Sequence, residues 1–289
     1  MFYSPLRYPG GKGKLEPFME LLIRQTGHLG GTYVEPFAGG AGIALELLEK
    51  EIVNDIVIND LDKGIYSFWR AILTETDRFI NDIRNIELTI DEWNKQRQEI
   101  ENCNRYRYEL GFATFYLNRT NRSGIIKGGV IGGTEQAGNW KIDARFNREA
   151  LIERIIKITK RKKQIHLYNK DVSSFIQNYL PRYEHNAFVY FDPPYFEKGK
   201  QLYLNFFSYD DHVRIERMIE NQVNCDWVIT YDDVQEIADI YQNHILRRFD
   251  LNYSAAIKRK ASEIIIFRHR DMIPTDSQLQ QSGICVNLR

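Results

Sequence analysis

Cysteine is scarce in this sequence, which has three cysteines among 289 residues. Cys103, Cys225 and Cys285 lie far apart, and no two of them have the short spacing of a zinc or thiol–disulfide motif. A chain stabilised by disulfides would carry more cysteines at closer intervals. The sequence therefore predicts neither a disulfide framework nor a metal site.

Long apolar runs are absent as well. No stretch approaches the roughly 20 apolar residues that cross a bilayer, and the first residues lack the apolar core of a secretory signal. Hydrophobic residues nevertheless make up 43% of the chain, which is enough to bury a substantial core. We expect a soluble, intracellular protein that acts in the cytoplasm.

The chain has no net charge, because 39 basic residues balance 39 acidic ones. The charges are unevenly placed, since residues 95–170 hold 17 lysines and arginines against 7 acidic residues. A basic segment rich in tyrosine and phenylalanine favours a nucleic-acid partner. The run KRKK at 160–163 does not decide this alone, because cations are also favoured where a helix ends.

Short β-branched or aromatic runs alternate with helical patterns through most of the chain. The predicted strands are TYVEPFA (32–38), DIVIND (55–60), QIHLYN (164–169), AFVYFD (187–192), DWVITY (226–231) and EIIIFRH (263–269). Helical patterns at 43–50, 65–73 and 210–220 lie between several of them. Strands that alternate with helices form βαβ units, so the pattern predicts an α/β fold with a mainly parallel sheet.

The middle of the chain interrupts this alternation. Residues 77–160 are richer in helix, as in RYELGFATFYLN at 107–118. We interpret the segment as an insertion into the sheet domain. The predicted domains are a catalytic, cofactor-binding domain formed by 1–76 and 161–289, and a mostly helical inserted domain formed by 77–160.

A glycine-rich turn follows the first predicted strand. EPFAGGAG at 35–42 opens the next helix, where glycines let backbone approach a ligand and the helix offers free amides. The pattern G-x-G-x-x-G of nicotinamide enzymes fails, because Leu45 occupies the third glycine position. Asp60 ends the second strand, at the spacing where an acid binds ribose hydroxyls. These features predict a nucleoside-bearing cofactor, the alternative being a tight turn with a helix-capping aspartate.

The N-terminal stretch RYPGGKGKL at 7–15 does not form a phosphate-binding loop. Tyr8 stands where that motif needs its first glycine, Leu15 where it needs serine or threonine, and no strand precedes it. An aromatic ring, a turn and a cation suit a small charged ligand. The alternative is a terminal turn with solvated lysines.

The stretch Asp192-Pro193-Pro194-Tyr195 ends the fourth predicted strand. Two prolines stop the strand at the edge where open α/β sheets bind ligands. An exocyclic amine on a nucleobase is a poor nucleophile, because its lone pair is delocalised. The Asp192 carboxylate and the stiff Pro193 carbonyl can accept its hydrogens, and Tyr195 offers a face for an extruded base. We therefore expect these four residues to form the catalytic site.

Over nearly its whole length the chain resembles adenine-specific DNA methyltransferases of the Dam-like α group. The motifs that carry the resemblance are RYPGGK, EPFAGGAG, VIND, FYLNRTNRSG (115–124), YFDPPY and AAIKRKASEIIIF (255–267), in that order. The resemblance implies a Rossmann-like methyltransferase sheet with a mostly helical DNA-recognition insertion. It also implies methyl transfer from S-adenosylmethionine to the 6-amino group of adenine in double-stranded DNA.

The resemblance assigns the cofactor-binding residues. It implies cofactor contacts from Tyr8, Lys12, Phe37, Gly39, Asp60, Asp171 and Asp192. The turn from Phe37 to Gly42 would enclose the methionine end, and Asp60 would bind the ribose. Asp171 would lie near the cofactor's adenine. Ala41 departs from the family's F-x-G-x-G pattern, which leaves the separate roles of Gly40 and Gly42 open.

Two basic segments are candidates for DNA contact. Arg119, Asn121, Arg122 and Ser123 lie in NRTNRSG, whose arginine and asparagine side chains suit base edges or phosphate. Lys258, Arg259 and Lys260 form a second patch, which we expect to hold phosphate. The alternative for the first segment is a polar surface loop.

Other methyltransferase classes need different residues at these positions. Cytosine carbon-5 methylation needs a cysteine nucleophile, usually after proline, and no cysteine here follows proline. Methylation of the cytosine 4-amino group is chemically close and stays open as the alternative. RNA or protein methylation more often places asparagine at the position of Asp192. The expected partners are DNA, with the protein bound to the nucleoid, and a restriction endonuclease of the same specificity.

Overall fold

A computed structural model describes residues 4–7, 12, 15–102, 105–197, 207–252, 260–284 and 288–289, with backbone only at 250–252, 260 and 261. Tyr8, Lys258 and Arg259 lie outside the described residues, as does the side chain of Lys260. In the part of the chain that is described, no helix is both long and apolar enough to cross a membrane.

Seven strands form one sheet. They are β1 (Thr32–Glu35), β2 (Asp55–Asn59), β3 (Ile165–Tyr168), β4 (Ala187–Phe191), β5 (Asp226–Asp232), β6 (Ile245–Asn252) and β7 (Lys260–Phe267). Their order is β3-β2-β1-β4-β5-β7-β6. Every pairing from β3 to β5 is parallel, and β7 is antiparallel to both β5 and β6. The predicted α/β fold with a mainly parallel, Rossmann-like sheet is confirmed.

Eleven α-helices are described in the ranges given above. They are α1 (Glu16–Gln25), α2 (Gly42–Glu49), α3 (Lys63–Thr74), α4 (Thr76–Asn85), α5 (Ile90–Asn102), α6 (Tyr108–Thr120), α7 (Arg148–Lys160), α8 (Val172–Asn178), α9 (Tyr209–Gln222), α10 (Gln235–Ile240) and α11 (Asp276–Gln281). Helices α2 and α3 follow β1 and β2, as the alternation predicted.

The sheet is buried on both faces. Side chains alternate across each strand, so Tyr33 of β1 joins one apolar cluster and Val34 joins the other. The first cluster lies under α1 to α7 and α11, and the second under α8, α9 and α10. All five residues of β4 are buried, as expected for a central strand covered on both sides.

The strand order reverses between β1 and β4. From β1 the chain proceeds outward through β2 and β3, whereas from β4 it proceeds the other way through β5. A crevice opens at the carboxyl ends of two strands where such a reversal occurs, and open α/β proteins bind their ligands there. The glycine turn follows β1 and Asp192 follows β4, so both predicted motifs flank this position.

Some strand boundaries differ from the sequence prediction. β1 ends at Glu35 because Pro36 has no amide hydrogen to donate to a neighbouring strand. β6 was not predicted, because Arg247, Arg248 and Asp250 interrupt its apolar pattern. It pairs only with β7 and forms an edge of the sheet, where charged side chains are tolerated.

Helices α4 to α7 connect α3 to β3. None of the described residues between α3 and β3 joins the sheet. This helical segment shares its core with the sheet domain, because α6 packs directly along α3. Gly111 permits the close approach of the two helices. A Cβ at that position would collide with the Ser67 carbonyl and lie 2.9 Å from the Phe68 amide nitrogen.

Replacing Gly111 with alanine should therefore destabilise the fold. Alanine gains about 1 kcal/mol in helix propensity, but crowding against rigid backbone costs up to about 3 kcal/mol. We expect a net loss near 2 kcal/mol in urea unfolding. Gly42→Ala is the matched control, because a Cβ at Gly42 in α2 meets nothing within 4 Å. A Gly111→Ala protein as stable as the parent would contradict this account of the α3–α6 contact.

Candidate functional site

The glycine turn after β1 is fastened by Asp60. One oxygen of the Asp60 carboxylate accepts a bond from the Gly39 amide at 2.8 Å, and the other accepts from the Asp62 amide at 2.8 Å. The indole of Trp69 donates to the Gly39 carbonyl at 2.9 Å. Asp60 does not cap α3, because the Asp62 side chain does so through the amides of Gly64 and Ile65. The glycine turn and Asp60 were predicted separately, and in the structure they are hydrogen-bonded to each other.

The end of the turn has an unusual backbone. Ala41 adopts the left-handed conformation, with φ of 46°, immediately before α2. This conformation favours glycine and costs other residues about 1–2 kcal/mol. The side chain of Glu35 serves as the helix cap instead, because it accepts a bond from the Ala44 amide at 3.2 Å. The N-cap residue, Ala41, forms no side-chain hydrogen bond to the first amides of α2, and these amides face the crevice.

Asn59 connects the carboxyl ends of three strands, a role that was not predicted. Its buried amide group donates to the Pro36 carbonyl at 2.9 Å and the Lys170 carbonyl at 3.0 Å. Its oxygen accepts from the Lys170 amide at 2.9 Å. Asp171 follows directly and caps α8 through the Ser173 amide. The structure thus places the exposed Asp171 beside the Asp60 turn, across the ends of β2 and β3.

Asp192 lies at the end of β4 in a cluster of polar side chains. The Lys12 ammonium is 3.3 Å from its Oδ1, and the Thr230 hydroxyl donates to the same oxygen at 3.1 Å. The Lys12 ammonium also donates to Thr230 at 3.0 Å and to Glu263 Oε2 at 2.7 Å. A hydrogen bond of 2.7 Å between the Tyr190 and Thr230 hydroxyls completes the cluster. Lys12 was predicted to contact the cofactor. In the structure, its ammonium group contacts the side chains of this cluster.

The two oxygens of Asp192 have different surroundings. Both contacts from described residues reach Oδ1, which leaves Oδ2 without a partner among them. The side chain is 26% exposed toward the crevice. Pro193 is buried beside it, and its carbonyl accepts no hydrogen bond from the described part of the chain. A carboxylate oxygen and a carbonyl oxygen of two consecutive residues therefore both lack a hydrogen-bond partner among the described residues.

Tyr195 is fixed at both its ring and its hydroxyl. The hydroxyl donates to Glu263 Oε2 at 3.0 Å, and the Lys12 ammonium lies 4.9 Å from the ring centre. The next two residues are held by Asp232, whose carboxylate accepts from the amides of Phe196 and Glu197, each at 3.0 Å. Sequence analysis missed Asp232, Thr230 and Glu263, because they come from β5 and β7 and touch the motif only in the folded chain.

Several acids at this edge of the sheet are held away from water. Burial raises the pKa of Glu35 to about 8 and that of Asp60 to about 7. Burial also raises the pKa of Asp192, the Lys12 ammonium opposes that rise, and the Glu263 carboxylate adds to it. Repulsion from Asp192 contributes to the raised pKa of Glu35. These acids are therefore more readily protonated than free carboxyl groups, and a cationic ligand would favour their ionised forms.

Two of the predicted DNA-binding residues are engaged inside the protein. Asn121 is fully buried; its amide donates to the Ile125 and Ile126 carbonyls, and its oxygen accepts from the Trp93 indole. Arg119 donates to the Arg145 carbonyl at 2.7 Å, and burial lowers its pKa to about 9. The asparagine side chain has no free group to offer a base, so the DNA-contact prediction for Asn121 does not fit its surroundings.

Arg122 and Ser123 are the exposed members of that segment. Ser123 has φ of 56°, in the left-handed region that favours glycine. Trp140 lies on the same basic segment and is 71% exposed, an unusual exposure for so large an apolar ring. Sequence analysis did not single out Trp140, because an exposed and a buried tryptophan look alike in a sequence.

Comparison with known proteins supports the family resemblance. A family model described as D12 class N6 adenine-specific DNA methyltransferase matches residues 8–256. The Type II methyltransferase M.MjaIII of Methanocaldococcus jannaschii is 22% identical over 260 residues, which cover 77% of this chain and 85% of that protein.

Solved structures overlap only loosely with this one. The rRNA methyltransferase aviRa of Streptomyces viridochromogenes is 12% identical, covers 92% of this chain and 88% of its own, and has a TM-score of 0.39. A conserved hypothetical protein of Streptococcus pyogenes is 13% identical, covers 83% of this chain and 88% of its own, and has a TM-score of 0.32. Overlaps this low establish nothing about function.

The match to the family covers far more than half of the chain. It confirms the predicted enzyme and its reaction, methylation of adenine in DNA, and gives no support to the cytosine alternative. The chain belongs to the D12 class of N6 adenine-specific DNA methyltransferases.

Proposed function

We propose that Asp192 and Pro193 activate the adenine amino group in the crevice between β1 and β4. The observation that supports this proposal is that the two oxygens of the Asp192 carboxylate have different surroundings. Lys12 and Thr230 hold Oδ1, while Oδ2 and the Pro193 carbonyl stay available among the described residues. An amino group has two hydrogens, and two fixed acceptors would draw its nitrogen toward tetrahedral geometry and localise its lone pair.

The same crevice suits S-adenosylmethionine. Glu35 is buried and Asp60 and Asp192 are half-buried. All three have raised pKa values, and a ligand bearing positive charge would favour their ionised forms. Asp60 would bind ribose hydroxyls, and Phe37 and Gly39 would line the methionine end. Asp171 would lie toward the cofactor's adenine. When bound, S-adenosylmethionine supplies a methyl group on a positively charged sulfur.

The chain's own residues would bind and orient the base. The adenine nitrogen is the nucleophile, so no side chain need form a covalent bond with the substrate. Pro194 and Pro193 keep the acceptor carbonyl rigid, and Tyr195, fixed by Glu263 and Lys12, would stack on the extruded base. Extruding the base costs a few kcal/mol, which this stacking would partly offset.

The helical segment, proposed as the DNA-recognition domain at 77–160, would contact the duplex. Residues 95–170, which include the greater part of this segment, hold 17 basic against 7 acidic residues, and such a balance attracts the phosphate backbone. Arg122, Ser123 and Trp140 are exposed there and suit base edges, phosphate and stacking respectively. Arg119 would support the segment from within. Lys258, Arg259 and Lys260 remain a proposed phosphate contact.

The substrate also suggests the protein's surroundings. We propose that it acts on double-stranded DNA in the cytoplasm, associated with the nucleoid. A restriction endonuclease that cuts the same sequence is the proposed partner, because methylation at the recognition site would protect the host DNA from such an enzyme.

Cofactor binding should release protons. Asp60, with a pKa near 7, and Glu35, with a pKa near 8, are partly protonated near neutral pH, and a cationic ligand favours their ionised forms. Affinity for S-adenosylmethionine should therefore rise between pH 6 and 8, and the measured enthalpy should depend on the buffer's own ionisation enthalpy. Asp60→Asn should abolish part of this release. Binding heats that are identical in phosphate and Tris buffers would contradict the proposal.

Asp192→Asn should lower kcat at least about a hundredfold, because the amide is a weaker acceptor than the carboxylate. Binding of DNA and of cofactor should change little. The assay is incorporation of tritiated methyl groups into duplex DNA under saturating conditions. Asp226→Asn is the matched control, since Asp226 begins β5 at the opposite edge of the sheet. Turnover within about tenfold of the parent in the Asp192 variant would rule out the proposed activation.

Arg122→Ala should weaken binding to the cognate duplex, whose sequence would first be read from DNA methylated by the enzyme. If Arg122 reads a base, discrimination against a scrambled duplex should fall by about 1–3 kcal/mol. A phosphate contact would instead weaken both duplexes alike and lower the salt slope by about one. Arg217→Ala, an exposed arginine on α9, serves as the control. Unchanged affinity, slope and discrimination would remove Arg122 from the interface.

A further inference from the structure

Glu263 is a buried carboxylate within AAIKRKASEIIIF (255–267), and sequence analysis assigned no role to it. It lies on β7, the antiparallel strand, opposite Asp232 of β5, and its side chain is inaccessible to solvent. One oxygen, Oε2, accepts from both the Lys12 ammonium at 2.7 Å and the Tyr195 hydroxyl at 3.0 Å. A charge buried this fully is costly unless it is paired, so both contacts stabilise the folded site.

Glu263 competes with Asp192 for the same cation. The Lys12 ammonium has three hydrogens, and the acceptors around it in the described part of the chain are Glu263 Oε2 at 2.7 Å, Thr230 at 3.0 Å and Asp192 Oδ1 at 3.3 Å. The ammonium therefore lies nearer to Glu263 than to Asp192. One positive charge therefore interacts with two carboxylates. It interacts more strongly with Glu263, which does not face the crevice.

We propose that Glu263 is a positioning residue which draws Lys12 away from Asp192, keeping Asp192 a strong hydrogen-bond acceptor, and which fixes the Tyr195 ring. This inference rests on the proposed role of Asp192. A full ion pair with Lys12 would withdraw charge from the Asp192 carboxylate, and its Oδ2 would bind an amino group more weakly. The bond to the Tyr195 hydroxyl keeps the ring in one orientation at the mouth of the crevice.

The proposal predicts a change in the pH dependence of the reaction. Among the residues that the structure describes, the ionisable groups around Asp192 are Lys12 before α1, Tyr33 and Glu35 on β1, Tyr190 on β4, Tyr195 after β4, Tyr231 on β5 and Glu263 on β7. Burial is the main cause of the raised pKa of Asp192, Lys12 lowers it, and Glu263 raises it. Only Lys12 among these groups carries positive charge.

Neutralising Glu263 removes a repulsion and frees Lys12 to pair with Asp192. Both effects lower the pKa of Asp192, so the carboxylate stays ionised to lower pH. The acid limb of the profile of kcat/KM against pH should move to lower pH, while the plateau of kcat should fall. Removing the Lys12 charge should have the opposite effect on the limb, because two carboxylates would then face each other without a cation.

The test compares Glu263→Gln, Lys12→Gln and the parent in methyl transfer to duplex DNA between pH 5 and 9. We expect Glu263→Gln to lower the plateau of kcat about tenfold to a hundredfold and to move the acid limb down. KM for DNA should change much less. We expect Lys12→Gln to move the limb up. Glu16→Gln is the matched control, because Glu16 is also buried and paired with a lysine, Lys50, at 2.9 Å. It should leave both kcat and the limb unchanged.

Each outcome bears on a different claim. A parent enzyme with no adenine methylation, or an Asp192→Asn variant with normal turnover, would overturn the proposed function rather than this inference. Normal Asp192 behaviour with an unmoved limb in Glu263→Gln would overturn the inference, even if that variant lost activity, because a purely structural role would produce such a loss. If Glu263→Gln does not fold, as judged by circular dichroism, the upward shift in Lys12→Gln decides, and an unmoved limb there overturns it.

Discussion

A single buried ammonium group links the parts of the catalytic site. Lys12 precedes the first helix, yet its side chain reaches Asp192 at the end of β4, Thr230 on β5 and Glu263 on β7. A lysine buried this deeply is stable only if each of its hydrogens finds an acceptor. The three strand ends must therefore stay in register around it, and that requirement fixes which oxygen of Asp192 faces the crevice.

The other half of the crevice has a comparable constraint. Asn59 and Asp60 hold the ends of β1 and β3 through backbone groups, and Asp60 fastens the glycine turn by the Gly39 amide. Both halves meet where the strand order reverses, so the cofactor-facing turn and the base-facing carboxylate lie on either side of one opening. Glu35, Asp60 and Asp192 there have raised pKa values, and a positively charged ligand would favour their ionised forms.

The sequence predicted those parts of the site that are local in the chain. Each of these parts can be recognised from a few neighbouring residues: the glycines after β1, Asp60 after β2, and Asp192 before two prolines. Glu263 and Thr230 could not be found this way, because their partners lie more than two hundred residues away from them or on another strand.

Sequence also cannot separate a polar side chain that faces solvent from one that binds its own loop. Asn121 and Arg122 are neighbours in a segment typical of DNA contact, but one is fully buried and the other exposed. The edge strand β6 was hidden for a related reason, since its charged residues mask the alternation that marks a strand. The sheet, its order of motifs and the enzyme class were within reach, whereas the network that tunes Asp192 was not.

The central claim is that Asp192 binds the protein through Oδ1 and the substrate through Oδ2. The most direct measurement is a crystal structure of the protein with S-adenosylhomocysteine and a duplex containing the target adenine. The account predicts the adenine amino nitrogen within hydrogen-bond distance of Oδ2 and of the Pro193 carbonyl, with Lys12 still between Oδ1 and Glu263. An amino group bound to Oδ1, or a Lys12 side chain displaced from Glu263 onto Asp192, would contradict it.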